Sequence, residues 1–323
     1  MAAQIPSYTL NNGTQIPSVG MGCWMGAPGG EQAVYDMCIN ALNAGYRHFD
    51  TAAGYANEQF VGKAIRDSGI PRSEIYVTTK LADHTRVKEA FEESFNALDV
   101  DYIDLYLMHW PQANLHAAFT GGRVLAPEES PTFVETWIEM EKLLESVSIT
   151  SGKVKSIGVS NFSIKNLEIL LPHCTVIPVT NQVELHPCYP QNDLKAYCES
   201  KRILLTAYSP LGQGTFFVEN AEIIALAKKN NATPAQVVLS WAVQRGTVVI
   251  PKSANKERMA ANIKLLKLSD EDFEAVGRLH KAPGLHKSLV TYDKKEDSVF
   301  GWTFEQLGWN LQAGGLSSRV VMN

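Results

Sequence analysis

Residues 75–109 read IYVTTKLADHTRVKEAFEESFNALDVDYIDLYLMH, a run of strand, helix and strand in immediate succession. The apolar runs Tyr76–Leu81 and Ile103–His109 have the length and composition of buried strands. Between them, Val87–Leu98 carries apolar residues three or four positions apart, which predicts an amphipathic helix. Two strands joined through a helix are typical of a parallel β-α-β unit.

The same alternation continues in both directions along the chain. The apolar runs predicted as strands are Val19–Gly22, Tyr46–Asp50, Tyr76–Leu81, Ile103–His109, Ser156–Ser160, Val179–Glu184, Ile203–Tyr208 and Thr247–Pro251. The helical patterns are Glu31–Ala44, Asn57–Ser68, Val87–Leu98, Pro131–Ser146, Ile164–Leu171, Asn192–Lys201, Pro234–Arg245 and Lys256–Lys264. Eight such units favour a closed (β/α)8 barrel, the TIM-barrel class of α/β fold, over an open sheet.

The ends of the chain lie outside this alternation. Asn12-Gly13 separates two short strand-like runs between Tyr8 and Pro17, which predicts a β-hairpin.

Two helix starts and the longer irregular segments can also be predicted. Ser130-Pro131 and Thr233-Pro234 each predict a helix that begins at the proline. A long loop is predicted at about residues 116–130, and the last forty or so residues are predicted as an irregular tail. We expect a single domain over residues 1–323.

Composition narrows the classes of function. The formal net charge is −5 and no run of Lys or Arg occurs, so a nucleic-acid partner is not expected. The five cysteines include no C-x-x-C pair, which favours free thiols in a reducing compartment over disulfides or a metal site. No stretch has the ~20 apolar residues that cross a bilayer, and no signal peptide is evident. We expect a cytoplasmic protein.

Reactive side chains follow several of the predicted strands. Asp50, Lys80 and His109 lie at or near the ends of three strands, and Tyr55 lies in the loop after the first of these. Carboxyl ends of barrel strands share one rim, so these residues are expected to converge. A tyrosine is a weak acid at pH 7 unless a cation favours its ionised form, and a carboxylate can hold that cation. The four residues therefore suit acid catalysis.

Five motifs in this order resemble the aldo-keto reductase family: GYRHFDTAAGYANE (residues 45–58), GVSNF (158–162), NQVELHP (181–187), AYSPLG (207–212) and IPKS (250–253). The similarity covers roughly residues 8 to 280. It implies the barrel fold, reduction of a carbonyl substrate and NADPH as the cofactor. It also implies the catalytic tetrad Asp50, Tyr55, Lys80 and His109.

The segment after the eighth strand carries the strongest cofactor signal. Lys252, Ser253, Asn255 and Arg258 precede or begin a predicted helix, on the side where barrels often bind phosphate, and could surround a 2′-phosphate. The earlier glycines 20, 22 and 26 have G-x-G-x-x-x-G spacing, which does not match the Rossmann fingerprint. They are interpreted as a tight turn.

The resemblance assigns further cofactor contacts. It places Ser160, Asn161 and Gln182 at the carboxamide, Tyr208 under the nicotinamide and Asn262 at the adenine, with Ser209 and Leu211 nearby. Two departures stand out. Ala261 replaces an acidic residue of many relatives, and the loop after Leu211 is short. A short loop predicts faster cofactor release, because some relatives fold a longer segment over the pyrophosphate.

The resemblance also places Trp24 and Trp110 in the substrate pocket, beside Tyr55. The tail residues Phe300, Trp302, Phe304 and Trp309 either complete this pocket or only dock the tail. The tail is similar to that of fungal members that act on small polar aldehydes and sugars, so aldoses, glyceraldehyde and uronic acids such as D-galacturonate are candidates. Arg123 is a candidate cation for a uronate.

Two other functions stay open. Lys80 could form a Schiff base in a barrel lyase, which would require a depressed lysine pKa. A redox-sensing or structural NADPH-binding module with little catalysis is the second. A monomer is expected, since family members are commonly monomeric.

Overall fold

The computed structural model describes residues 5–113, 123–145, 152–214, 219–289 and 297–311. Its centre is a ring of eight parallel strands, in which each strand pairs with the next along the chain. These strands are β3 (Met21–Gly22), β4 (His48–Asp50), β5 (Tyr76–Leu81), β6 (Leu105–Met108), β7 (Ile157–Ser160), β8 (Thr180–Glu184), β9 (Leu204–Tyr208) and β10 (Val248–Val249).

The ring closes between its first and last strands. Val19 and Val249 form a parallel bridge, and the amide of Gly22 donates to the carbonyl oxygen of Pro251 at 3.2 Å. Gly22 is required here, because a Cβ at this position would lie 2.8 Å from the Ile250 carbonyl oxygen. The predicted (β/α)8 barrel is confirmed, with strands shorter than the apolar runs suggested.

Helices surround the ring and pack against it or against one another. In α3 the buried positions are Val87, Ala90, Phe91, Ser94 and Leu98, spaced three or four residues apart as predicted. The helices up to the tail are α1 (Glu31–Ala44), α2 (Glu58–Asp67), α3 (Val87–Leu98), α4 (Phe133–Lys142), α5 (Ile164–Leu170), α6 (Asn192–Ser200), α7 (Ala221–Lys229), α8 (Pro234–Gln244), α9 (Lys256–Asn262) and α10 (Asp270–Arg278).

One predicted helix start was wrong. The cap of α4 is Thr132, which forms a capping box with Glu135, so Pro131 lies before the helix and not in its first turn. The Ser130-Pro131 peptide bond is cis. The start predicted at Thr233-Pro234 is confirmed, since Thr233 caps α8 with Pro234 in its first turn.

The sequence prediction missed two helices. α7 begins after the cap Asn220, and α10 begins after the cap Ser269. The described part of the tail is not irregular either. It forms an antiparallel pair, β11 (Ser298–Val299) with β12 (Trp302–Thr303), followed by the short helix α11 (Phe304–Leu307).

The predicted N-terminal hairpin consists of β1 (Ser7–Thr9) and β2 (Gln15–Pro17). Leu10 and Ile16 pack against a cluster of inward-facing strand residues: Tyr76, Leu105, Leu107, Val179 and Val248. The hairpin therefore caps the amino-terminal end of the barrel with apolar contacts, and the carboxyl-terminal rim is left for chemistry. That one domain spans residues 1–323 stays a prediction.

Candidate active site

The four residues predicted to act together do converge on this rim. Lys80 of β5 donates to Asp50 Oδ1 at the end of β4, with Nζ and Oδ1 2.5 Å apart. Its Nζ lies 5.0 Å from the centre of the Tyr55 ring. The Tyr55 and His109 rings meet edge to face, 5.7 Å apart. A buried cation is thus held between a carboxylate and a phenol.

Lys80 is fully buried, and its ammonium also donates to the carbonyl oxygen of Thr51 at 2.8 Å. Burial alone would lower the pKa of Lys80, but Asp50 and Tyr55 together raise it above its ordinary value. Lys80 is therefore charged at neutral pH. It is a permanent positive charge beside the phenol.

The net pKa of Tyr55 differs from the sequence-based expectation. Burial raises it above the ordinary value of 10.0, while the charge of Lys80 and a hydrogen bond from Lys80 offset part of the rise. The lysine acts in the expected direction, but the enclosed position of the ring dominates. Tyr55 holds its proton at neutral pH, as a proton donor must.

His109 follows β6 and is neutral at pH 7. Burial, together with the charges of Lys80 and His84, lowers its pKa well below 6.5. A neutral imidazole offers one N–H donor, so His109 can direct a substrate oxygen without competing as an acid.

The loop that carries Tyr55 is fixed by residues that the sequence analysis did not single out. Thr51 Oγ1 donates to Asn57 Oδ1 at 2.7 Å, and Asn57 Nδ2 donates to the carbonyl oxygen of Cys23 at 2.9 Å. All three residues are buried. This brace joins the loop after β4 to the segment after β3. The only feature of the sequence that could have indicated these hydrogen bonds is the motif around Tyr55, which includes Thr51 and Asn57.

The residues assigned to a carboxamide form a hydrogen-bonded group on the neighbouring strand ends. Ser160 Oγ donates to the Gln182 carbonyl oxygen at 2.8 Å, and Asn161 Nδ2 donates to Ser160 Oγ at 3.1 Å. Tyr208 donates its hydroxyl to Asn161 Oδ1 at 2.8 Å. The structure brings all four residues together, so one planar amide could contact several of them.

The segment after β10 lies at the beginning of α9. Asn255 caps this helix through a 2.8 Å bond from the Arg258 amide to its Oδ1, and Ser253 Oγ accepts from the Asn255 amide at 3.2 Å. Lys252 and Arg258 are exposed. Among the residues that the structure describes, no ion pair uses either cation. Two available cations at a helix start fit a phosphate group.

Comparison with known proteins agrees with this geometry. The model of the aldo/keto reductase family matches residues 18–281. The chain belongs to the aldo/keto reductase family. It is an NADPH-dependent oxidoreductase acting on carbonyl substrates.

Two yeast proteins are close relatives of the reductase. Glycerol 2-dehydrogenase (NADP(+)) of Saccharomyces cerevisiae is 44% identical over 293 residues, which cover 85% of this chain and 91% of that protein. Aldehyde reductase YPR1 of the same yeast is 42% identical over 291 residues, with the same coverage of 85% and 91%.

Solved structures of the family share the fold. The aldo-keto reductase AKR2E5 of the silkworm Bombyx mori, complexed with NADPH, has a TM-score of 0.75 and 30% identity, covering 85% of this chain and 88% of that one. Aldose reductase from Schistosoma japonicum has a TM-score of 0.77 and 32% identity, covering 89% and 95%.

Two tryptophans of the reductase lie beside the tetrad, Trp24 next to Tyr55 and Trp110 next to His109. Trp24 is 39% exposed and its ring lies 4.9 Å from that of Tyr55. Trp110 is buried and contacts two tail residues, with ring separations of 5.1 Å to Phe300 and 5.9 Å to Trp309. The tail thus contacts Trp110, one of the two residues predicted for the substrate pocket.

Four hydrogen bonds outside the sequence predictions fasten the tail to the rest of the protein. Gln112 donates to the Val299 carbonyl oxygen at 2.8 Å, and Trp302 donates to that of Leu125 at 2.7 Å. Buried Glu184, at the end of β8, accepts from the Leu289 amide at 2.7 Å and from the Ser288 hydroxyl. The only feature of the sequence that could have indicated one of these contacts is the position of Glu184, a carboxylate at the end of a predicted barrel strand.

Three of the assigned residues have features in the reductase that the sequence did not predict. Arg123 forms a two-pronged ion pair with Glu129, at 2.6 and 2.9 Å. Asn262 is buried and lies close to the Tyr46 hydroxyl, which donates to the Met259 carbonyl oxygen at 3.3 Å. Ser209 adopts a left-handed backbone, with φ of 47°.

The short loop after Leu211 is described only in part, because residues 215–218 lie outside the described residues. Half-buried Ala261 lies beside Asn262 in α9. The effects of this loop and of Ala261 on cofactor release stay predictions.

A cavity of about 370 Å³ adjoins the cofactor-assigned residues. None of the tetrad lines it. Its walls include Asn161, Tyr189, Tyr208, His280, His286 and Trp309. The cavity therefore lies between the strand ends and the tail.

Two absences hold within the described part of the chain. No helix there is long and apolar enough to cross a membrane. No group of His, Cys, Asp and Glu there could hold a metal ion. The five cysteines, which all lie within the described residues, form no disulfide there.

Proposed function

We propose that the protein reduces an aldehyde or ketone and that Tyr55 supplies the proton. The observation that carries this is the position of buried Lys80, bonded to Asp50 and close to the Tyr55 ring. A phenol that loses its proton in a buried site needs a nearby cation to stabilise the phenolate, and Lys80 is that cation. Asp50 holds Lys80 in position. NADPH, when bound, supplies the hydride.

His109 directs the substrate in this proposal. Its neutral imidazole donates a hydrogen bond to the carbonyl oxygen, which places that oxygen within reach of the Tyr55 hydroxyl. The pKa of His109 lies well below that of Tyr55, so His109 carries no extra proton at neutral pH. It therefore cannot reprotonate Tyr55 after Tyr55 has given its proton to the substrate. The two residues thus have separate roles.

The cofactor contacts are proposed from the same rim. Lys252, Ser253, Asn255 and Arg258 would hold the 2′-phosphate, since two exposed cations there have no ion-pair partner among the described residues. The remaining assignments are Ser160, Asn161 and Gln182 to the carboxamide, Tyr208 to the ring face, Ser209 and Leu211 along the pyrophosphate, and Asn262 near the adenine.

The substrate is proposed to be a small polar or sugar-derived aldehyde, such as an aldose or glyceraldehyde. Aromatic walls from Trp24 and Trp110 around two hydrogen-bonding groups suit a small ligand. Relatives named glycerol 2-dehydrogenase and aldose reductase support the class. A uronic acid such as D-galacturonate stays a candidate, but Arg123 already pairs with Glu129 and favours it little. A monomeric, cytoplasmic enzyme of sugar metabolism remains part of the proposal.

The raised pKa of Lys80 counts against the lyase alternative. A Schiff-base lysine must lose its proton near neutral pH, whereas Asp50 keeps Lys80 charged. Trapping of a carbonyl substrate on Lys80 by borohydride would restore that alternative. The NADPH-binding module without catalysis is tested by turnover itself.

The decisive experiment is an NADPH oxidation screen with a matched NADH screen. Aromatic aldehydes, glyceraldehyde, pentoses, hexoses and uronic acids are compared for wild type and Tyr55→Phe. We expect wild-type turnover with NADPH and a loss of at least about a hundredfold in the variant. Full turnover in Tyr55→Phe would refute the donor. Absence of turnover on every aldehyde would favour the binding module.

A further inference from the structure

A hydrogen bond spans the interior of the barrel between two site residues. Gln182 Nε2 donates to Asp50 Oδ2 at 2.7 Å. Gln182 belongs to β8 and Asp50 to β4, which lie four places apart in the ring of eight strands and so on opposite walls. Both side chains are 2% exposed. This bond joins the residues assigned to the cofactor to those assigned to proton transfer.

The bond completes the coordination of the carboxylate. Asp50 Oδ1 accepts from Lys80, while Oδ2 accepts from Gln182, so each oxygen has a donor at 2.7 Å or less. A buried carboxylate with a donor on each oxygen is restrained in rotation, and loss of one donor leaves a charged oxygen unpaired. The direction in which Oδ1 faces Lys80 therefore depends on Gln182.

We propose that Gln182 is a positioning residue for the proton donor, acting through Asp50 and Lys80 on Tyr55. This inference deepens the proposed function and rests on it. Contact with the carboxamide, already assigned to Gln182, would be a second and separate role. The two roles use different atoms, since Nε2 is engaged with Asp50 and none of the described hydrogen bonds uses Oε1.

The backbone of Gln182 extends the same network toward the cofactor residues. Its carbonyl oxygen accepts from Ser160 Oγ at 2.8 Å and from the Asn161 amide at 2.9 Å. Asn161 in turn accepts from Tyr208. Hydrogen bonds thus link Tyr208 to Lys80 by way of Asn161, Gln182 and Asp50, with the backbone and side chain of Asn161 and of Gln182 both taking part. A carboxamide seated on Gln182 would contact the side chain that restrains the Asp50 carboxylate.

The charges around Tyr55 set the sign of the expected effect. The groups that face it are Lys80 from β5, Asp50 from β4, Cys23 after β3 and His109 after β6. Lys80 lowers the pKa of Tyr55 and Asp50 raises it. The Gln182 N–H offsets the charge of Asp50 and keeps Lys80 in place. Removing that N–H raises the pKa of Tyr55 on both counts.

The test measures the alcohol-oxidation direction with NADP+, in which Tyr55 must first lose its proton. The rate therefore rises with pH through the pKa of Tyr55. For Gln182→Met we expect this rise to move about one pH unit higher. For Gln182→Glu we expect a larger shift, because a second carboxylate would face Asp50. NADP+ is kept saturating throughout.

Thr206→Val is the matched control. Thr206 is buried in β9, beside β8, and its hydroxyl contacts that of Thr180 at 3.0 Å, so the variant also removes one buried hydrogen bond. We expect its pH profile to match wild type. Circular dichroism checks that each variant is folded, and either Gln182 variant suffices if the other unfolds.

The outcomes separate the two levels of the proposal. A wild type that neither binds NADPH nor turns over defeats the proposed function. An active wild type, with pH profiles unchanged in both Gln182 variants and only the NADPH dissociation constant altered, overturns the positioning role and leaves the carboxamide contact. A profile shifted equally in Thr206→Val overturns it as well, because the effect would then be general.

Discussion

Trp302 donates its indole N–H to the carbonyl oxygen of Leu125 at 2.7 Å, and this bond holds the β11-β12 pair of the tail against the rim. The pair positions Phe300 and Trp309 against Trp110. These contacts are compatible with docking of the tail, and that the tail aromatics also complete the substrate pocket stays a prediction. Both aromatics share a surface with a residue assigned to the substrate.

Replacing Trp302 with Phe tests this arrangement. The ring volume is largely kept but the hydrogen bond, worth about 1 kcal/mol, is lost. We expect KM for glyceraldehyde to rise about fivefold, with the NADPH dissociation constant unchanged. The control Lys165→Met removes another tail contact, to the Glu305 carbonyl oxygen. A similar rise in the control would show that tail stability alone sets KM.

A second prediction separates the two functions of the Lys80–Asp50 pair. Lys80→Met removes turnover and leaves a buried carboxylate without its cation, so the free energy of unfolding should fall by about 3 kcal/mol or more. Adding Asp50→Asn should restore much of that stability but no turnover. Urea unfolding and NADPH oxidation measure the two effects. Turnover in the double variant would contradict the role of Lys80.

The phosphate assignment predicts a difference between two cofactors. Lys252→Met combined with Arg258→Ala should weaken NADPH binding by about a hundredfold, because two charge-assisted contacts are lost. NADH lacks the 2′-phosphate, so its affinity should change little. Fluorescence titration with both cofactors gives the comparison. Equal losses would refute the assignment.

Close packing between α2 and α3 predicts a severe stability loss at one glycine. A Cβ at Gly62 would lie 1.8 Å from the Leu98 carbonyl oxygen, and backbone cannot move aside cheaply. We expect Gly62→Ala to lower the unfolding free energy by about 3 kcal/mol. Gly277→Ala is the control, since its Cβ would meet nothing nearer than Trp241 Nε1 at 3.5 Å. That variant should be neutral or slightly stabilising.

Acid should destabilise the protein through two buried histidines. Burial lowers the pKa of His48 and of His84 to about 4, from an ordinary 6.5. Between these values the unfolded chain binds more protons than the folded one, so stability falls as pH falls. From pH 7.5 to pH 5 the loss should be on the order of 2 kcal/mol per histidine. Urea unfolding at both pH values measures it, and a flat profile would contradict it.

Local patterns predicted the barrel and the convergence of Asp50, Lys80 and His109, because the carboxyl ends of barrel strands share one rim. Helices α7 and α10 were missed because a simple alternation predicts one helix after each strand, whereas β9 is followed by both α7 and α8, and β10 by both α9 and α10. The Gln182–Asp50 bond could not be predicted, since it depends on the distance across the barrel. The pKa of Tyr55 likewise depends on enclosure by Trp24 and His109, which belong to distant segments.

The N-terminal hairpin closes the amino-terminal end of the barrel through the apolar side chains of Leu10 and Ile16. This closure affects the order in which cofactor and substrate bind. Because this end is closed, the cofactor and the carbonyl compound must both enter and leave at the carboxyl-terminal rim. Ser160, Gln182 and Tyr208, which are assigned to the nicotinamide end, lie on the strands themselves. Trp24 and Trp110, which are assigned to the substrate, lie in loops that follow strands. The cofactor, which binds deeper in the site, is therefore expected to bind first and to dissociate last. Product inhibition should therefore follow an ordered sequence, in which NADP+ competes with NADPH and the alcohol does not.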